Sequence, residues 1–173
     1  MKSWTPLGFD KYGRPIVLHR ARLTNLTLCS DAKIYGKMQM LMLDQICSSG
    51  SPNTDQFILV FDMEGAGYSH FQTDLVKTMI RTAQNVYLGT MYRIIFFNSG
   101  LVTRILFNLA KPLLSQRVLN KVKFIGGPFT HNLLLENEFQ EETLPTDMGG
   151  TNGKTLDQML NDFRFDCDID ENN

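Results

Sequence analysis

Apolar residues fall along this chain in two rhythms, short unbroken runs and longer stretches repeating every three or four residues. The turn-forming stretch Asp10-Lys11-Tyr12-Gly13-Arg14-Pro15 leads into Ile16-Val17-Leu18-His19, which predicts the first strand. Ser30-Asp31 is a helix cap, and Ile34, Met38, Leu41, Met42 and Ile46 follow at helical spacing up to Ser48-Ser49-Gly50. Phe57-Ile58-Leu59-Val60-Phe61 is apolar at every position, as suits a strand covered on both faces. Phe71, Leu75, Met79, Ala83 and Val86 predict a second helix, residues 91–97 another strand, residues 101–114 a third helix and residues 122–125 a last strand closed by Gly126-Gly127-Pro128. Strands alternating with helices make the class α/β, a largely parallel sheet flanked by helices. Leu144-Pro145 and Gly149-Gly150 mark loops, after which Leu156, Met159, Leu160 and Phe163 fit one short helix.

At 173 residues and 43% hydrophobic the chain can build one core without staples. Its net charge of −1 conceals two halves: residues 136–173 hold 11 acidic and 2 basic side chains, residues 1–135 hold 15 basic and 7 acidic. The expected organisation is one domain over residues 1–165 and an acidic, disordered tail over 166–173. Neither the composition nor the near-neutral balance points to nucleic acid. Cys29, Cys47 and Cys167 form no CxxC pair, and no amino-terminal signal pattern is present, so a reducing cytoplasmic setting is expected. The greasiest stretch, residues 94–114, is broken by Asn98, Arg104, Asn108 and Lys111 and does not read as a membrane span. Asn25-Leu26-Thr27 matches a glycosylation acceptor by chance.

Catalytic and cofactor patterns fail one by one. The Gly-Lys-Thr at 153–155 lacks the first glycine of a phosphate loop, which would fall at Met148, and Gly65-Ala66-Gly67 lacks the third glycine of a dinucleotide loop. His19, His70 and His131 have no metal-ligand spacing and read as satisfied or surface histidines; no metal and no cofactor is expected. Neither a GxSxG serine nor a cysteine with a local catalytic signature is present, and Asp62 beside Glu64 reads as a loop cap before a general base. The informative segment is the third helix: Arg104, Asn108 and Lys111 form a thin polar stripe, and nearly everything else is apolar. It is either a buried core helix or a cover over an apolar ligand that can present its leucines to a bilayer.

Several ordered motifs together resemble the CRAL-TRIO lipid-binding domain, also found in phosphatidylinositol-transfer proteins. Asp10-Lys11-Tyr12-Gly13-Arg14-Pro15-Ile16 is similar to the family's D-x-x-G-R-P-V, and the strand ending Val60-Phe61-Asp62-Met63-Glu64-Gly65 to its central strand and D-x-x-G turn. Asn98, then Lys111-Pro112-Leu113-Leu114, then Lys121-Val122-Lys123-Phe124 keep the family's order. Leu144-Pro145-Thr146-Asp147-Met148-Gly149-Gly150 resembles its L-P-x-E-x-G-G close. The resemblance covers residues 10–150 and implies a sheet floor, a pocket above it and a movable gate helix in the 100s. Two departures stand out: Gly89 replaces a glutamate that accompanies the lysine matched by Lys121 in inositol-binding members, and Phe57 and Leu59 stand where phosphatidylcholine-binding relatives have hydroxyls. The family's usual helical lobe ahead of the domain is also absent from this sequence.

The expected function is non-catalytic binding and transfer or sensing of a lipid or isoprenoid-like ligand by a cytoplasmic protein that touches membrane surfaces transiently. The pocket is expected to draw on Phe57, Leu59, Phe61 and Phe97 from strands and on Val102, Ile105, Leu106 and Leu109 from the gate, with Arg104, Lys111 and Lys121 as phosphate contacts. The alternative is a protein-interaction module that keeps the fold without a competent pocket; a small α/β hydrolase is a third reading. A sixteen-carbon chain leaving water for such a pocket gains on the order of 12 kcal/mol, against about 1 kcal/mol for a charge at the rim.

Overall fold

The computed structural model describes residues 3–24, 31–48, 54–68, 73–125, 139–155 and 157–159. Within them a five-stranded sheet has the order β1 (Trp4–Phe9), β2 (Pro15–Arg20), β3 (Phe57–Asp62), β4 (Met91–Phe97), β5 (Val122–Phe124). The first pair is antiparallel and the other three are parallel. Crossovers α1 (Ala32–Ser48), α2 (Thr73–Asn85) and α3 (Leu101–Ala110) each step one strand further in the same direction. Parallel crossovers share one hand, so repeated steps the same way place all three helices on one face of the sheet. The opposite face is covered by residues 139–148, where Phe139, Leu144 and Met148 pack on Leu7, Ile16, Leu18, Ile58, Val60, Ile95 and Phe97. The three crossover α-helices therefore flank the described sheet on one side, and 3-10 turns at Glu141–Thr143 and Thr146–Met148 lie on the other.

The alternation of strand side chains sorts these two cores. Val17, Phe57, Leu59 and Phe61 face the helices, and Ile16, Leu18, Ile58 and Val60 face the carboxy-terminal segment. β3 is buried along its whole length, as its unbroken apolar run predicts.

Three expectations need correction. The first strand is β1, ahead of Ile16: Pro6 and Gly8 interrupt its pattern, which an edge strand tolerates, and the pairing slips between these two residues. Gly8 takes φ +108°, and a Cβ there would sit 2.7 Å from Thr143 Cβ. α1 is rotated from the predicted stripe, burying Tyr35, Gln39, Met42, Leu43 and Ile46 and leaving Ile34, Met38 and Leu41 exposed. Apolar residues on two of its faces made the inward one ambiguous. α3 stops at Ala110 and gives way to a 3-10 turn at Lys111–Leu113, because Pro112 brings no N–H to continue the helix. Phe71, His70, His131, Phe163, Gly126-Gly127-Pro128 and the acidic tail lie outside the described residues.

The Asp10 turn joins the two layers. Asp10 Oδ1 accepts from the backbone N–H of Tyr12 and Arg14 at 2.9 and 2.8 Å, and Oδ2 accepts from Arg14 Nε at 2.6 Å. Both side chains are buried, and the Arg14 guanidinium lies 3.4 Å from the centre of the Tyr92 ring. A bridge from Asp10 to Phe139 then pins the carboxy-terminal segment to the sheet. At the segment's end Gly150 has no room for a side chain, since a Cβ would meet Leu144 O at 2.1 Å. Asp10→Ala removes the buried carboxylate that accepts from Tyr12 N, Arg14 N and the Arg14 guanidinium, and about 3 kcal/mol of unfolding free energy is expected to disappear in urea titration. Glu64→Ala, which breaks the exposed pair with Arg22 at 2.8 Å, is expected to cost less than about 1 kcal/mol.

Candidate functional site

Between the sheet and the helices lies a cavity of about 230 Å³. Its floor is Leu59 and Phe61 of β3 with Ile94 and Phe96 of β4, and its roof comes from α2 (Leu75, Met79, Ala83) and α3 (Leu106, Phe107, Ala110). The size falls just short of the ~300 Å³ at which small-molecule sites usually begin. No Asp, Glu, Lys or Arg is among the described residues that line it. An aromatic ladder crosses the floor: Phe61 stacks on Phe96 at 4.9 Å, Phe96 on Phe124 at 5.2 Å, and Phe107 of α3 meets both Phe96 and Phe124 edge-on.

The expected pocket residues separate. Leu59, Phe61 and Leu106 line the cavity. Phe57 is buried in the same layer but packs edge-on against Tyr87, away from the cavity wall. Phe97 lies in the opposite core, on the far side of the sheet, and its neighbour Phe96 takes the cavity position. Val102 is half-buried outside the wall, while Ile105 and Leu109 point outward with Leu101 and Leu113. α3 thus has two apolar faces, one over the cavity and one in water. Arg104 and Lys111 are exposed beside the outer face.

α3 is fastened at its ends. Asn98, at φ 51°, donates from Nδ2 to Asp62 Oδ1 at 2.9 Å, and Ser99 donates through N and Oγ to Ile125 O. Asp62 also accepts from Glu64 N, the capping role its position suggests. At the other end Gln84 donates to Leu113 O at 3.0 Å and accepts from Ser115 N at 2.6 Å. Lys121 sits apart from the cavity, in a shallow recess with Leu88, Gly89, Arg117 and Asn120. Its ammonium donates to the carbonyls of Leu88 and Met91, and burial lowers its pKa from the ordinary lysine value. Two of its three N–H groups are thereby committed to the turn at Leu88 and the start of β4 at Met91.

His19 was not expected at the site. It lines the cavity from β2, its ring 4.5 Å from Trp4 and 5.3 Å from Phe61. Nε2 lies 3.2 Å from Thr24 Oγ1, Nδ1 is buried with no partner among the described residues, and the ring is not on the surface. Burial pushes its pKa from 6.5 down to about 3 and keeps the ring neutral. The period-two alternation from Val17 was the available sequence signal. Among the described residues no cluster of His, Cys, Asp or Glu could hold a metal ion, and no helix is long and apolar enough to cross a membrane.

A profile of the CRAL/TRIO domain matches residues 2–150. The chain belongs to the CRAL/TRIO domain family. Its mixed sheet flanked by helices agrees with the CRAL/TRIO fold, and the crystal structure of Sfh5 superposes with a TM-score of 0.69 at 16% identity, covering 91% of this chain and 59% of that one. Similar proteins are two phosphatidylinositol/phosphatidylcholine transfer proteins of Arabidopsis thaliana. SFH12 is 25% identical over 158 residues (83% of this chain, 29% of that protein), and SFH11 is 26% identical over 167 residues (87% and 44%). This CRAL/TRIO chain therefore spans less than half the length of either relative.

Protonation of His19 sets a pH dependence. In the unfolded chain it binds a proton below about pH 6.5, whereas the folded chain does so only near pH 3. Over that window the unfolded state holds more protons, so stability falls as the pH falls. Between pH 7 and pH 5 the wild type is expected to lose about 2 kcal/mol more unfolding free energy than His19→Phe, read by urea titration at both values.

Proposed function

We propose that this chain binds one lipid or isoprenoid-like molecule in the cavity beneath α3 and carries it to or from a membrane surface, or senses it there, without catalysis, cofactor or metal. The observation that carries the reading is a wall with no ionic side chain among the described residues, under a helix whose second face is also apolar. Leu101 and Leu109 are 75% and 66% exposed, and burying such side chains in a bilayer recovers about 1.5–3 kcal/mol each. Arg104 and Lys111 are exposed beside that face and serve in this reading as the contacts to lipid phosphates. In this reading the hydrogen bonds at Asn98 and Gln84 serve as hinges, and between them α3 leaves the sheet mainly by breaking apolar contacts. An outward swing enlarges the cavity for an aliphatic chain. The names of the Arabidopsis relatives support lipid transfer as the general activity. With Lys121 bound to backbone carbonyls and Gly89 without a carboxylate, inositol is not the headgroup this reading favours. A cytoplasmic protein with transient membrane contact fits these features.

The second reading, a protein-interaction module, is favoured by the exposed stripe Ile34, Met38 and Leu41 on α1. Native mass spectrometry of the protein purified from cells separates the two: a carrier retains a lipid-sized adduct that Leu106→Trp, which fills the cavity, abolishes. For the outer face, Leu101→Asp with Leu109→Asp is expected to weaken sedimentation with anionic vesicles at least ~10-fold, while leaving the unfolding midpoint unchanged. Unaltered vesicle binding would remove α3 as the docking element.

A further inference from the structure

Ile34, Met38 and Leu41 stand along α1 at spacings of four and three residues and are 56%, 42% and 67% exposed, and exposed Gln45 extends the row. Alternating steps of four and three mark the seam of a helix that packs along another helix, with Ile34 and Leu41 at heptad position d and Met38 and Gln45 at position a. The row points away from the neighbouring helix. α2 approaches α1 at Gly36, where a Cβ would sit 2.8 Å from Thr78 Cγ2, and Gly36 lies about 160° round the helix from Ile34. On one flank of the row the e positions, Tyr35 and Met42, are buried in the chain's own core. On the other flank the g positions are Lys37 and Asp44, both exposed and joined to no ion pair among the described residues. The Tyr87 hydroxyl donates to Asp44 Oδ1 at 2.8 Å, which steadies the carboxylate and leaves Oδ2 for another donor.

The order of charge on this flank identifies the occupant. Its basic and acidic residues are one heptad apart, so the flank is complementary to a copy of itself running the opposite way. In an antiparallel pair g faces g, and a two-fold axis passing between positions 40 and 41 sets Lys37 against Asp44 of the second copy and Asp44 against its Lys37. Leu41 then meets its own counterpart beside the axis, and Met38 fits between Leu41 and Gln45 of the other helix. A parallel pair would turn both charges toward e positions that the core already occupies. We propose that two copies of this chain associate through α1 in this antiparallel, two-fold arrangement. The 17 residues of α1 extend about 25 Å, so the seam is smaller than the roughly 800 Å² per partner of a tight complex. The association is therefore reversible, and the two exposed ion pairs fix its direction more than its strength. Because α2 stands between α1 and α3 in the helical layer, the outer face of α3 stays uncovered and the cavity plays no part.

Sedimentation equilibrium of the full chain from ~10 to ~500 µM is the test, a range suited to a small reversible interface. The average mass of the wild type is expected to climb from that of one chain toward that of two. Leu41→Asp, which sets two carboxylates together at the axis, is expected to weaken association at least ~10-fold. Lys37→Asp and Asp44→Lys each make the flank uniform in sign, so each alone is expected to associate several-fold less than wild type. Mixed one to one they regain complementary flanks, and association near the wild-type level is expected. Thermal unfolding of each variant shows which of them fold, and the wild-type series decides the matter without them. A wild type that stays monomeric throughout overturns the proposal, as does a dimer that tolerates Leu41→Asp. A dimer that Lys37→Asp leaves intact, or that mixing fails to restore from two folded variants, overturns the antiparallel arrangement. If the protein is monomeric and Leu41→Asp instead abolishes sedimentation with anionic vesicles, the seam belongs to a bilayer and not to a second copy.

Discussion

The parity of side chains on β2, β3 and β4 governs this molecule. Because neighbouring residues on a strand point to opposite faces, placing Leu59 and Phe61 toward the helices sends Ile58 and Val60 toward the carboxy-terminal segment. The parallel register then aligns His19 with Phe61 and Phe61 with Phe96. One row of side chains crosses three strands on the cavity side, continued by Phe124 of β5. A slip of one residue in β2 or β4 would put Leu18 or Phe97 into the cavity and break the row.

The two faces of the sheet solve different problems. The carboxy-terminal side is closed by short-range fixtures: the Asp10 and Arg14 pair, the bridge to Phe139 and the close approach of Gly150 to Leu144. These fix the carboxy-terminal segment to the sheet. The helical side is closed by α2 and α3 over the cavity, and α3 is tied by hydrogen bonds at its two ends and by apolar contacts between them. Apolar contact is non-directional, which is the property that the proposed outward swing of α3 relies on.

Much of this was legible in the chain. The unbroken run at Phe57-Ile58-Leu59-Val60-Phe61 announced a central buried strand, and the doubly greasy pattern after Asn98 announced α3. The motifs around Asp10, Asp62 and Gly150 were recognisable, and each performs a packing or capping job. What was hidden depended on register and rotation. Phe96 and Phe97 are chemically identical, and only the pairing with β3 decides which one faces the cavity. Ile34 and Tyr35 could each have led the inward stripe of α1. β1 was obscured by Pro6 and Gly8, which its edge position accommodates, and His19 looked ordinary because its setting is made by Trp4 and Phe61 from other strands.

The central claim is that an aliphatic guest lies between α3 and the cavity side of the sheet. Isotope-filtered NOE spectra of methyl-labelled protein mixed with an unlabelled hexadecyl chain test it most directly. Cross-peaks are predicted from the chain's methylenes to methyls of Leu59, Ile94, Leu106 and Val122, and none to Ile16, Ile58, Val60 or Ile95. Cross-peaks to the second set, or to neither under conditions where the chain binds, contradict the account.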